Sequence, residues 1–189
     1  MNTTALVILI IVVAMALAVG AFLYFRRRRT ENLRKQFGPE YKHAVDQYGD
    51  QRKAETELAA REKRVHKLEI RSLTAEEQAR FTHAWKKTQA HFVDEPSPAV
   101  QQADAMVKEL MQTRGYPVAD FEQRAADISV DHANVVANYR AARDVAQRNN
   151  SGKATTEDLR QAMVHYRSLF EELLDTQTPT THKESDDKP

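Results

Sequence analysis

Residues 5–25 read ALVILIIVVAMALAVGAFLYF, an unbroken apolar run closed by Arg26, Arg27, Arg28 and Arg29. A bilayer core about 30 Å thick is crossed by about 20 helical residues, so the run predicts one membrane-spanning helix. A helix satisfies its own backbone hydrogen bonds, and a membrane helix tolerates Gly20. Phe22, Tyr24 and Phe25 fall beside the arginines, where aromatic rings favour the interface. The competing reading is a cleaved signal peptide, with Ala14-Met15-Ala16 as a loose cleavage site. Against it stand the length of the run, an n-region (residues 1–4) without a basic side chain, and four arginines that resist translocation. The charge asymmetry orients the chain: residues 1–4 outside, 5–25 as anchor, and 26–189 in the cytoplasm.

Beyond the anchor the periodicity is helical throughout. A short helix is expected to continue through Leu33 to Phe37, with Gly38-Pro39 interrupting it. A long helix is expected from Glu40 to Leu68. Its first part carries Tyr41, Val45 and Tyr48. Residues 50–64, DQRKAETELAAREKR, are rich in both charge signs and offer only Leu58 and alanines for burial. Lys53–Glu57 and Glu57–Arg61 are i,i+4 pairs. This favours a solvated juxtamembrane arm over residues 26–73. The heptad pattern Leu58, Arg61, Val65, Leu68 is too short for a convincing coiled coil.

Residues 74–174 predict a compact antiparallel bundle of about four or five helices. Thr74 and Glu77 make a capping box before Phe81, Trp85, Thr88 and Phe92, an aromatic stripe suited to burial. Ser97 is expected to cap the next helix, with Pro98 at its first position. Its buried stripe is Val100, Ala103, Val107 and Leu110. Gly115 supplies the left-handed end and Pro117 the stop. Asp120 caps a short helix from Phe121 to Ile128. Asp131 is expected to cap a longer one with Val135, Tyr139, Ala142 and Ala146. After the turn Asn149-Asn150-Ser151-Gly152, Thr155 or Thr156 opens the last helix, striped by Leu159, Met163, Tyr166, Phe170 and Leu173. Trp85, Tyr139 and Phe170 are each central in their stripes and are expected in one buried cluster. From residue 175 to 189 no large apolar residue occurs, so a disordered tail is expected.

Composition narrows the chemistry. The chain carries +1 overall. Setting aside the four anchor arginines leaves 24 basic against 27 acidic residues, so no basic block remains as a nucleic-acid footprint. There is no cysteine, which excludes disulfides, thiolate metal sites and a cysteine nucleophile. Five scattered glycines do not make a phosphate-cradling loop. No cofactor and no catalytic residue is indicated.

Seven histidines form no metal-ligand spacing. The densest polar cluster is Glu122, Arg124, Asp127, Asp131 and His132. Glu122, Asp127, Asp131 and His132 together would supply an oxygen-rich metal site with one imidazole. Helix capping by Asp131 and pairing of Asp127 with Arg124 explain the same residues without a metal. His165 and Arg167 flank the stripe residue Tyr166, a set that would suit an anion if the three converged. Arg26–Arg29 are expected to contact anionic lipid headgroups as a simple stop-transfer flank, in preference to a specific lipid site.

Several strings carry a resemblance: Phe37-Gly38-Pro39-Glu40-Tyr41, Arg80-Phe81, Phe92-Val93-Asp94-Glu95-Pro96, Arg114-Gly115-Tyr116-Pro117, Phe121-Glu122-Gln123-Arg124-Ala125-Ala126-Asp127, Ser129-Val130-Asp131-His132 and Asn138-Tyr139-Arg140-Ala141. Over most of residues 37–174 the chain resembles a set of small bacterial helical proteins with one N-terminal membrane helix. That set has no established activity, so no catalytic residue carries over. The resemblance implies a bacterial inner-membrane setting. Two functions follow as expectations. One is a non-enzymatic, membrane-tethered adaptor or scaffold that meets a protein partner through the charged arm or the bundle. The other is a ligand-binding, metal-binding or enzymatic helical domain using residues 115–132.

Overall fold

The computed structural model describes residues 3–117 and 120–175, with side chains from residue 11 onward. Every regular element among them is an α-helix: α1 (Thr3–Tyr48), α2 (Gln51–Val65), α3 (Ala75–Asp94), α4 (Pro96–Thr113), α5 (Phe121–Asp131), α6 (Ala133–Asn150) and α7 (Thr156–Asp175). The chain divides into two compact units, Met1–Ala59 and Ala60–Pro189. The tail expected after Asp175 lies outside the described residues.

Among the described residues no helix is long and apolar enough to cross a membrane. The expected span begins before the first described side chain. Its described part, Ile11 to Phe25, is shorter than the about 20 residues a bilayer requires. In that part Ile11, Val12, Val13, Met15, Leu17, Val19, Phe22 and Leu23 are each half or more exposed.

Further along the first unit, α1 is not straight. Gly38 has φ 44° and ψ −122°, outside the helical region, and Pro39 follows it. Only glycine adopts this backbone readily, and proline removes the next amide donor. A straight helix from Thr30 to Tyr48 would separate its ends by about 27 Å. Instead Glu55 Oε1 accepts from the Thr30 hydroxyl at 2.9 Å, the Tyr41 hydroxyl at 2.8 Å and Gln51 Nε2 at 2.7 Å. The chain therefore doubles back at Gly38. It turns again at Gly49 (φ 66°), where the Asp50 carboxylate caps α2 by accepting from the Lys53 amide. The continuous helix expected from Glu40 to Leu68 is thus corrected to two pieces. Residues 50–64 are not merely a solvated arm, since Ala54 and Leu58, four apart on one face, are fully buried. Leu33, Phe37, Tyr41 and Ala44 are buried as well.

In the second unit the expected capping box is in place. The Glu77 amide donates to Thr74 Oγ1 and the Thr74 amide to Glu77 Oε2. α3 and α4 share one non-helical residue, Glu95 (φ −132°, ψ 78°), and Pro96 opens α4. Ser97 is therefore not the cap. Proline one position earlier already fixes the first helical φ without needing an amide partner. Asp120 caps α5, accepting from the Gln123 amide. α5 runs on to Asp131, and His132 takes the cap position of α6 without a side-chain bond. The expected Asp131 cap is corrected accordingly. Thr155 and Asp158 make a second reciprocal box at the start of α7.

Side-chain pairs fix the packing directions. Arg80–Glu109 and His91–Gln102 run α3 against α4. Gln101–Asn150 and Arg143–Asp104 run α4 against α6. Asn138–Ser168 and Arg148–Asp158 run α6 against α7. Gln78–Leu174 and the Trp85–Phe170 stack run α7 against α3. α3, α4, α6 and α7 thus form an up-down-up-down four-helix bundle, with α5 folded onto α6 through Phe121–Tyr139. The predicted stripes line its interior. Phe81, Trp85, Val107, Leu110, Tyr139, Met163, Tyr166 and Phe170 belong to one core. Alanines at 103, 142, 146 and 162 let the helices approach closely.

Candidate functional site

The four residues of the candidate metal cluster are placed by α5 and its exit, and they do not converge. Glu122 lies on the surface and accepts from Arg140 at 2.8 Å. Asp127 points inward and accepts from Arg64 Nε and Gln123 Nε2, each at 2.8 Å. Asp131 accepts from the Tyr116 hydroxyl at 3.1 Å, and His132 Nδ1 meets Glu172 at 3.1 Å. Among the described residues no group of three or more His, Asp and Glu side chains could hold a metal.

What α5 does border is a buried polar cluster built on Arg114, which is wholly inaccessible to solvent. Its Nη1 donates to the Leu173 carbonyl in the last turn of α7, and its Nε to the Arg71 carbonyl. The Arg71 amide returns a bond to the Arg114 carbonyl at 2.9 Å. Gly115, at φ 100°, lets this approach happen, because a Cβ there would strike the Glu69 carbonyl oxygen. The turn then directs Tyr116 inward to Asp131. Burial, helped by the neighbouring Asp131, pushes the Tyr116 phenol well above its ordinary pKa. Burial lowers that of the Arg114 guanidinium. Burial also lowers that of His132 against the opposing pull of Glu172, favouring the neutral imidazole. Three buried atoms here have no protein partner: Arg114 Nη2, His132 Nε2 and Asp127 Oδ2. Glu172 links this interior to an open groove along α6 and α7, lined also by Val135, Arg167, Ser168 and Glu171.

A second interior network centres on Asp104. It accepts from Tyr166 at 3.0 Å, from Lys108 one turn away and from Arg143 at 3.4 Å. Tyr166 therefore turns away from its sequence neighbours. His165 instead meets Asn138 at 3.1 Å, and Arg167 lies 3.8 Å from Glu171. The Tyr166–His165–Arg167 anion set is not assembled. Arg26–Arg29 are all exposed.

Arg64, Arg114 and Glu172 are not singled out by the sequence, and Tyr116 only as part of the 115–132 segment. The weak signal was the string Arg114-Gly115-Tyr116-Pro117, which marks a helix end but says nothing of burial. No protein-family model matches the chain, and neither does any curated protein or solved structure.

Proposed function

We propose that this chain is a non-enzymatic helical interaction module, an adaptor or scaffold tethered to a bacterial inner membrane with its bundle on the cytoplasmic side. The observation that carries the tether is the state of α1 from Ile11 to Phe25, whose apolar side chains are exposed around the whole helix. A helix apolar on all sides is matched to an apolar solvent rather than to water. The sequence extends this stretch back to Ala5, a length sufficient for a bilayer. Arg26–Arg29 then sit on the cytoplasmic side. The module reading draws support from where the polar groups go. Glu122, Asp131 and the Asp104 network are engaged in contacts that hold helices together. Tethering raises the effective concentration of the bundle toward membrane partners.

Fusion after Asp175 tests the orientation. Green fluorescent protein should glow there and alkaline phosphatase should be inactive; the opposite pair of results would falsify it. Affinity purification from detergent-solubilised membranes should return a defined partner protein, and repeated recovery of the chain alone would count against the adaptor.

The second reading, a ligand-binding domain using residues 115–132, is favoured by one observation: the three unpartnered buried atoms around Arg114, Asp127 and His132. A specific ligand raises the melting temperature by mass action. A panel of metals and metabolites that leaves the melting temperature unchanged would remove this reading.

A further inference from the structure

The double reversal in the first unit brings together groups that lie far apart in sequence. Arg26, Arg27, Thr30, Glu31 and Arg34 project from the first pass of α1, and Gln51 reaches them from the start of α2. With Leu23 they line a pocket of about 500 Å³. The pocket carries a small excess of positive charge. Against its three guanidiniums stand Glu31 and, alongside, Glu55. Burial opposes ionisation of Glu55. Hydrogen bonds from Gln51, Tyr41 and Thr30, with Arg26 nearby, nonetheless hold its carboxyl below the usual range. Glu55 is thus committed to holding the two passes together. Arg34 is held over the Tyr41 ring, 5.2 Å from its centre. Thr30, Gln51 and Arg34 are thus held by contacts to Glu55 and Tyr41.

We propose that this pocket binds the phosphodiester headgroup of an anionic phospholipid. The inference rests on the tether reading, which sets its depth. If hydrocarbon ends near Phe25, Thr30 lies about 7 Å further along the helix. The headgroup layer adds about 5–7 Å on each side of a bilayer core, so Arg26 and Arg27 lie within it, Thr30 at its outer edge, and Arg34 above it within the reach of a long side chain. Leu23, about two turns before Thr30 and inside the apolar run, meets the start of an acyl chain. Guanidinium forks suit phosphate oxygens in paired hydrogen bonds, and Thr30 Oγ1 and Gln51 Oε1, whose donors are engaged by Glu55, accept from a glycerol hydroxyl. Arg28 and Arg29 do not line the pocket. They serve as an internal comparison for charge alone.

The test is calorimetric titration of the purified full chain in dodecyl maltoside. The titrants are dihexanoyl phosphatidylglycerol, dihexanoyl phosphatidylcholine and inorganic phosphate. Saturable binding of the phosphatidylglycerol alone is expected. Arg27→Gln with Arg34→Gln should weaken it about 25-fold, at about fivefold per cationic group. Arg28→Gln with Arg29→Gln should change it less than about threefold, since exposed charges outside the contact are screened. Equal binding of both lipids overturns the proposal. So does equal loss from both arginine pairs, which marks diffuse attraction, and so does phosphate binding as tightly as the lipid, which marks a free-anion site. If the Arg27/Arg34 variant loses helicity by circular dichroism, Arg27→Lys with Arg34→Lys keeps both charges and removes only the forks. About fivefold weaker binding is then expected, and unchanged binding overturns the proposal. Carbonate washing of cell membranes reads the tether separately. Release of the chain removes the tether reading whatever the calorimetry gives. Retention without saturable headgroup binding removes the pocket alone.

Discussion

Trp85→Ala is the most decisive perturbation of the bundle. The indole is 5 % exposed and Phe170 is 2 % exposed. Their rings stack with centres 4.6 Å apart and planes within 13°. A buried aromatic side chain removes about 150–250 Å² from water. At about 25 cal/mol per Å² this is about 4–6 kcal/mol, and measured aromatic-to-alanine costs run about 3–5 kcal/mol. Stacking itself supplies only about 1 kcal/mol, so burial dominates. A domain of this size has about 5–15 kcal/mol in all. The variant should therefore melt about 10–20 °C below the parent, followed by circular dichroism on the full chain in mild detergent. Phe170→Ala should act similarly, and the double variant should fall short of additivity by about 1 kcal/mol. Strict additivity would refute the stack. A melting temperature unchanged by Trp85→Ala would refute the burial, and the Phe81, Trp85, Phe92 stripe would then be better understood as a partner-binding face.

Three further outcomes follow from single groups. Gly115→Ala must hold a left-handed backbone and meet the Glu69 carbonyl, so a loss above about 2 kcal/mol is expected in urea unfolding. Thr74→Ala removes one side of the α3 capping box and should cost about 1 kcal/mol in the same assay. His132 has a folded pKa below its unfolded one, so the unfolded chain takes up the proton first. Its contribution is complete above about pH 6.5 and is lost as the pH falls toward the folded value; His132→Gln should flatten the melting-temperature profile below about pH 6.5.

Local signals read well where the interaction itself is local. The Thr74–Glu77 box, the Asp120 cap and the 4-3-4-3 stripe from Leu159 to Leu173 all depend on residues within one or two turns, and all are present. Gly38-Pro39 was legible as an interruption, but its reversal depends on Glu55 collecting Thr30 and Tyr41 from the far pass. Within residues 50–64 Leu58 and the alanines are the only apolar groups, but the dense charges outweigh them in the pattern, and Gly49-Asp50 as a helix stop and start rests on one positive-φ glycine and one cap. Asp131 and His132 stood at a helix boundary, where one residue of shift turns a cap into a partner for Tyr116. Arg114 gave no sign of burial, because its acceptors are the backbone carbonyls of Arg71 and Leu173, which carry no side-chain identity.

The position of Arg114 between those two carbonyls bears on the rate at which the bundle comes apart. One bond closes a loop of 43 residues and the other a loop of 59. Loops of this length are slow to close compared with a helical turn, so both bonds are expected to form after the folding barrier, with Arg114→Ala speeding unfolding and leaving the folding rate unchanged. Interactions absent from the transition state govern unfolding and leave folding speed nearly untouched. Arg114 thus acts as a latch that joins the entry to α3, the end of α4 and the end of α7, and its chief effect is on how long the folded bundle lasts.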